Sequence, residues 1–207
     1  MEKLTKVKHT LSSTFSVGSP LLLGDQLIGA SERLLFAHLQ QRFPGKMRMD
    51  VGLDLYYGNL RRQRHYTFRP DMVFHDGATK LTIAIEVDEP YVYATKEPIH
   101  YIWLDTENPR AGPDDEMNER MLRWGWVVVR FSERQVVQNT QACVSFISHL
   151  QDHLILHEKL INIASFAGFY HFPDRNRDLR WTVQEAQSMA AADYRTTYRQ
   201  GNHESDH

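Results

Sequence analysis

The chain has 207 residues, 42% of them hydrophobic, which suits one globular domain with an appendage and suffices for a core. A formal charge of −2 gives no summed attraction to nucleic acid, so any such contact needs a local basic patch. Cys143 is the only cysteine, which excludes an internal disulfide and a cysteine-based zinc knuckle, and no apolar run approaches a membrane span.

SPLLLG (19–24) is too short and too weakly flanked for a signal peptide, so a soluble cytoplasmic protein is expected. Residues 1–28 lack clear periodicity and read as an irregular arm. SERLLFAHLQQRF (31–43) carries Leu34, Leu35, His38 and Leu39 at helical spacing and stops at Pro44-Gly45. Glu32 lies near its start, where an acid is favoured by the helix N-terminus. MRMDVGLDLYY (47–57) reads as a strand, Gly58-Asn59 as a turn and RRQRHYTF (61–68) as its return. Arg61, Arg62, Arg64, His65 and Arg69 cluster there, either to neutralise a phosphodiester backbone or as the charged edge of a soluble sheet.

RPDMVFHDGATKLTIAIEVD (69–88) is the most informative stretch. LTIAIEV has the pattern of a strand buried on both faces, and MVF is its hairpin neighbour across a turn at Asp76-Gly77. With the loop centred between Ala78 and Thr79, Asp71 falls opposite Glu86, and alternation puts Asp88 on the same face as Glu86. Two opposed carboxylates repel by about 4 kcal/mol at roughly 4 Å and an effective dielectric near 20, so the arrangement requires a cation or a proton. Oxygen-only ligands favour Mg²⁺, Mn²⁺ or Ca²⁺. The alternative is a solvated strand end whose acids pair with Arg69, Arg62 or Arg64.

PDDEMNERMLRW (113–124) reads as a crossover helix into the strand GWVVVRF (125–131), which is expected to pair in parallel. SERQ (132–135) has capping-box spacing, and QACVSFISHLQDHLILHEKL (141–160) is a long amphipathic helix. His149, His153 and His157 form a stripe on it, a polar face rather than a zinc site, because one straight helix cannot converge three histidines on a tetrahedral ion. Residues 161–178 mark a domain edge, and WTVQEAQSMAAADYRTTYR (181–199) reads as a helix capped by Thr182, with Glu185 three residues on. Its stripe of Val183, Ala186, Ala190, Tyr194 and Tyr198 must pack on its own domain, on a protein partner or on a second copy.

Pro70-Asp71 followed by Glu86-Val87-Asp88 resembles the PD-(D/E)xK nuclease motif, and GWVVVRF is similar to the following strand in an E-x-D branch related to very-short-patch repair endonucleases. The resemblance covers roughly residues 30–150 and implies an α/β fold of the restriction-endonuclease type. That fold has a mixed central sheet, with the N-terminal helix on one face and later helices on the other. The expected division is an arm over 1–28, a nuclease-like domain over 29–160 and a helical extension over 161–207. It further implies Mg²⁺- or Mn²⁺-dependent cleavage of DNA, with Asp71, Glu86, the Val87 carbonyl and Glu32 as metal ligands, and Asp88 as a further ligand or a water-positioning group. Arg61, Arg62, Arg64 and Arg69 are the expected DNA contacts. The superfamily's lysine is replaced by Asp88, and the chain continues EPY where many relatives have G-x-x-H. Lys96, with His100 as the alternative, is therefore expected to fold back over the hairpin and supply the missing charge. The rival reading is a nuclease fold without turnover that binds nucleic acid or a protein.

Overall fold

A computed structural model describes residues 29–49, 51–57, 64–101, 114–123, 125–161, 168–171 and 181–199. Its elements in order are α1 (Ala30–Arg42), β1 (Met47–Arg48), β2 (Leu53–Tyr57), β3 (Arg64–Phe68), β4 (Met72–Asp76) and β5 (Leu81–Asp88). There follow α2 (Asp115–Arg123), β6 (Val127–Ser132), α3 (Glu133–Ile161), β7 (Gly168–His171), α4 (Val183–Ala191) and α5 (Tyr194–Arg199). The chain is mixed α/β, and no helix among the described residues is long and apolar enough to cross a membrane.

Two compact units separate. In one, β2 and β3 pair antiparallel from Leu53↔Phe68 to Tyr57↔Arg64. In the other, a five-stranded sheet runs β1-β4-β5-β6-β7, antiparallel across its first two pairings and parallel across its last two. The strand expected over 47–57 is thus two strands, of which β1 joins the main sheet and β2 the separate hairpin. Gly52 lies between them and marks the change of unit.

The β4–β5 hairpin has the expected register, from Met72↔Ile85 to Asp76↔Leu81, and one step outward brings Asp71 opposite Glu86. Asp76 sets the turn: its carboxylate accepts from Thr79 Oγ1 at 2.9 Å and Ala78 N at 3.4 Å, its carbonyl accepts from Lys80 N at 2.8 Å, and Lys46 pairs with it at 3.4 Å. Lys80 takes φ +65° to re-enter the strand, a left-handed residue of the kind a tight turn requires.

Alternation divides the two central strands. Leu81, Ile83, Ile85 and Val87 with Val127, Val129 and Phe131 face a core completed by Leu35 and Leu39 of α1 and by Val136, Cys143, Ile147 and Leu154 of α3. Helices α1 and α3 therefore share one face of the sheet, contrary to the expected separation of first and later helices. Both carry an apolar stripe, and packing the stripes together buries them over the same strands. Thr82, Ala84, Glu86 and Asp88 fall on the other side by period two, where α2 reaches the sheet through Asn118, which accepts from Arg130 of β6 at 3.0 Å.

The box at Ser132 forms: Ser132 Oγ accepts from Gln135 N at 3.2 Å, and Gln135 Oε1 accepts from Ser132 N at 2.9 Å. Helix α3 thus starts at Glu133, earlier than the amphipathic run suggests, and is kinked at Asn139, whose side chain recaps the second segment by accepting from Ala142 N at 3.2 Å. His149 and His153 are exposed on α3, as a polar face requires, while the side chain of His157 lies outside the described residues. The segment expected to mark a domain edge supplies β7, which pairs parallel with β6.

Thr182 and Glu185 cap α4 reciprocally, and the predicted helix breaks at Asp193 (φ +49°) into α4 and α5. Its stripe packs within the same unit, burying Ala186, Ala190 and Tyr198. Arg195 anchors α5: Nε and the second terminal nitrogen each donate to Glu133 at 2.7 Å, the first terminal nitrogen donates to the Tyr91 carbonyl at 2.7 Å, and Tyr198 Oη donates to Glu133 at 2.7 Å. Ser31 of α1 donates to the same carboxylate at 3.3 Å. Glu133 is 2% exposed, so loss of its partner strands a buried charge. Arg195→Ala is expected to lower unfolding free energy by about 3–5 kcal/mol in a urea titration. The double replacement Glu133→Met/Arg195→Met should cost less than the single one, since it leaves no orphaned carboxylate; an equal or larger loss would assign the cost to packing.

Candidate metal centre

Glu86 and Asp88 lie at the C-terminal end of β5, where β6 runs parallel and sets Glu86 beside Arg130 and Asp88 beside Ser132. Arg130 grips Asp88 as a two-pronged pair, Nε to Oδ2 at 2.7 Å and a terminal nitrogen to Oδ1 at 2.5 Å, with both side chains buried. Its other terminal nitrogen meets Asn118 Oδ1, which fixes the orientation of that amide. Asp71 is tied differently: Oδ2 accepts from Val87 N at 2.7 Å.

After Asp88 the chain leaves the sheet and returns. Tyr91 bridges Pro98, Val92 N donates to Glu97 O at 2.9 Å, Lys96 N to Val92 O at 2.8 Å and Ile99 N to Pro90 O at 3.1 Å. The fold-back expected from the sequence is present, but it delivers His100 rather than Lys96 to the carboxylates. His100 Nδ1 lies 3.0 Å from Asp114 Oδ2 and 3.4 Å from Asp88 Oδ1. Lys96 sits in the turn at φ +62°, with its ammonium 2.6 Å from Asp193. In this geometry the Lys96 cation is engaged in an exposed ion pair with Asp193, and His100 is the side chain from this turn that meets the carboxylates.

The remaining acids are short of counter-charge. Burial pushes the Glu86 carboxyl well above its ordinary range, the charge of Asp71 adds to this, and Arg130 opposes it. Among the described residues Glu86 Oε1 is buried and accepts no hydrogen bond. Burial takes Asp71 up to about 6 against the pull of the Val87 N–H, with the charge of Asp88 contributing. Glu32 rises to about 7 through burial and the charge of Asp71, although Gly29 N–H lowers it. Its carboxylate lies over Gly29, where a Cβ would stand 2.8 Å from Oε1, so Glu32 serves the helix N-terminus. Glu89 reaches about 7 by burial, which His100 and Arg195 oppose.

Two acidic groupings are therefore candidates for a cation. Asp88, His100 and Asp114 offer ligand atoms within 4.8 Å of one another. That grouping already holds its cations. Arg130 is 2.5 Å from Asp88 and 3.2 Å from Asp114, and although burial opposes charge on His100, its hydrogen bond to Asp114 and the charges of Asp88 and Asp114 raise it to about 9. A divalent ion there would meet a guanidinium and an imidazolium. Asp71 and Glu86, with Glu32 in electrostatic reach, have no such cation bonded to them among the described residues, and Glu86 offers an unused buried oxygen. An all-oxygen donor set of this kind fits Mg²⁺ or Mn²⁺.

Of the expected DNA contacts, Arg61 and Arg62 lie outside the described residues, the side chain of Arg64 in β3 is likewise not described, and Arg69 is exposed in the hairpin's unit. Arg130, Asn118 and Glu89 are site residues that motif reasoning passes over. A charged residue inside VVVRF is itself a signal, because a buried arginine requires a buried acid. No protein-family model, curated protein or solved structure matches the chain.

Acids whose pKa is raised by folding bind protons more tightly in the native state, so their contribution to stability is present below about pH 4 and is lost as pH rises through about 6 to 7. With a chelator present, Glu86→Gln is expected to gain stability relative to wild type as pH rises from about 4.5 to 7.5. Melting temperatures measured in parallel check this; a constant difference between the two proteins across that range would contradict it.

Proposed function

We propose that the chain is a metal-dependent DNA endonuclease built on a restriction-endonuclease-like core of the PD-(D/E)xK type. The observation that carries this reading is the buried, unpartnered Oε1 of Glu86 beside Asp71, at the strand register the motif requires. An isolated buried carboxylate costs several kcal/mol, so Glu86 is held either by a proton, as its raised carboxyl allows, or by a ligand that arrives with positive charge, and the metal reading takes the second.

Asp71 and Glu86 would hold Mg²⁺ or Mn²⁺, with Glu32 and the Val87 carbonyl as further ligands; the ion would stabilise charge developing on the phosphate and acidify water. Asp71 is preorganised for this by the Val87 N–H, which occupies Oδ2 and leaves Oδ1 for the ion. Arg130 neutralises Asp88, so a phosphate approaching Glu86 meets one less bare carboxylate. His100, 28% exposed at its side chain and cationic at neutral pH, would supply the charge expected of Lys96 and could also donate a proton to the departing oxygen. Arg61, Arg62, Arg64 and Arg69 are proposed to contact phosphates of the DNA backbone.

A second reading, a nuclease-like module that binds nucleic acid or a protein without cleaving it, is favoured by one observation. Both oxygens of Asp88 are taken by Arg130, so this acid is closed to the ligand or water-positioning role expected of it. Cleavage of supercoiled plasmid separates the two. Wild type is expected to nick DNA with millimolar Mg²⁺ or Mn²⁺ and not with a chelator, and either ion should raise its melting temperature, as binding to the folded state alone requires. Asp71→Ala should lose both effects. His100→Ala should keep the thermal shift while cleaving about 10²-fold more slowly, the usual scale for losing one proton donor. A metal-induced shift without cleavage under any of these conditions would select the module.

A further inference from the structure

The geometry points to a stacking subsite for single-stranded nucleic acid at Tyr93, bordered by Lys96, Arg195 and Arg199, on the edge of the unit that carries the acidic centre. It rests on the nucleic-acid reading above, though not on turnover. Tyr93 is 48% exposed, one of two large hydrophobic side chains so open among the described residues, whereas Tyr91 two positions earlier is fully buried. Three cations lie over its ring and form a collar there: Lys96 Nζ at 4.6 Å, Arg199 Cζ at 5.2 Å and Arg195 Cζ at 5.6 Å from the centroid. An aromatic ring left half open inside a collar of cations is the composition with which proteins stack bases and track a backbone without reading sequence.

The collar is held in place beforehand. Arg195 is locked on Glu133 and on the Tyr91 carbonyl, and Lys96 on Asp193. Arg199 is the least committed of the three, 34% exposed and 3.9 Å from a Glu133 oxygen that Arg195 already holds. The backbone that carries Tyr93 is held by the turn in which Val92 N donates to the Glu97 carbonyl at 2.9 Å. Little side-chain entropy is then lost when a base settles on the ring.

The subsite and the acidic centre are joined by one short stretch of chain. Tyr93 stands five residues past Asp88, on the segment that leaves β5 and returns at His100. Bases in a duplex are stacked on one another and do not offer a face to the ring, so the strand that reaches Tyr93 is unpaired.

The test is fluorescence anisotropy on the full chain with excess chelator, using a labelled oligo(dT) and a hairpin duplex of matched length. Cleavage plays no part under these conditions, so a failure of the nuclease reading leaves the result intact, and failure here leaves the cleavage test intact. Wild type is expected to bind oligo(dT), Tyr93→Ala to bind it about tenfold more weakly, and Tyr93→Phe to bind it nearly as wild type, because the ring and not the hydroxyl stacks. Duplex affinity should change by no more than about twofold in either variant. Arg199→Ser should weaken oligo(dT) binding and flatten its salt dependence. Photocross-linking of wild type to a bromodeoxyuridine oligonucleotide should label the peptide containing Tyr93, a readout independent of how any variant folds. Unchanged oligo(dT) affinity in folded Tyr93→Ala, equal losses on duplex and single strand, or a cross-link confined to other peptides would each overturn the proposal.

Discussion

A guanidinium beside a buried carboxylate sets the terms for the whole C-terminal end of the sheet. Five acids, Glu32, Asp71, Glu86, Asp88 and Glu89, gather there with Glu133 close by, and two arginines meet only part of their charge. Arg130 closes on Asp88 and Arg195 on Glu133, each with two bonds and little solvent. Removing water from such a pair is costly, so geometry has to be good and every other polar atom nearby has to be occupied. That condition is met around Glu133 by Ser31 and Tyr198, and it is not met at Glu86. The asymmetry separates acids that hold the fold together from one whose buried oxygen has no hydrogen-bond partner among the described residues.

The same pairs explain why the C-terminal segment is part of the unit and not an attachment to it. Arg195 reaches from α5 to the first residue of α3 and to the strand exit at Tyr91, while Trp181 Nε1 donates to the Ile99 carbonyl at 2.9 Å, one residue before His100. The loop from Pro90 to His100 is thereby clamped from outside by α4 and α5. His100 owes its position against Asp88 and Asp114 to that clamp as much as to its own hydrogen bonds.

The sequence made the β4–β5 hairpin legible to the register, because Asp76-Gly77 is a strong local turn signal and alternation carries it outward to Asp71 and Glu86. Capping boxes at Ser132 and Thr182 were equally legible, since the spacing of donor and acceptor is local. Non-local choices were not. Nothing between Met47 and Tyr57 shows that Gly52 divides two sheets, and β7 is four residues whose partner lies 41 positions upstream in register. The choice between Lys96 and His100 depended on which side of a turn faces the sheet, settled by Asp193 nearly a hundred residues later. Arg130 was visible as a charge in an apolar strand, but its partner could be identified only once β5 and β6 were known to be parallel neighbours.

The Asp76–Thr79 turn stands at one end of the hairpin and the Asp71–Glu86 pair at the other, five residues along β5 from Leu81, roughly 17 Å at a strand's rise per residue. A strand has no means of correcting its phase between those points. The turn therefore acts as the gauge for the acidic centre: a loop shorter or longer by one residue would carry Asp71 out of step with Glu86, or push Leu81, Ile83 and Ile85 to the wrong side of the sheet. Chain length is tightly constrained at the turn, and the pairing of the two acids inherits that constraint.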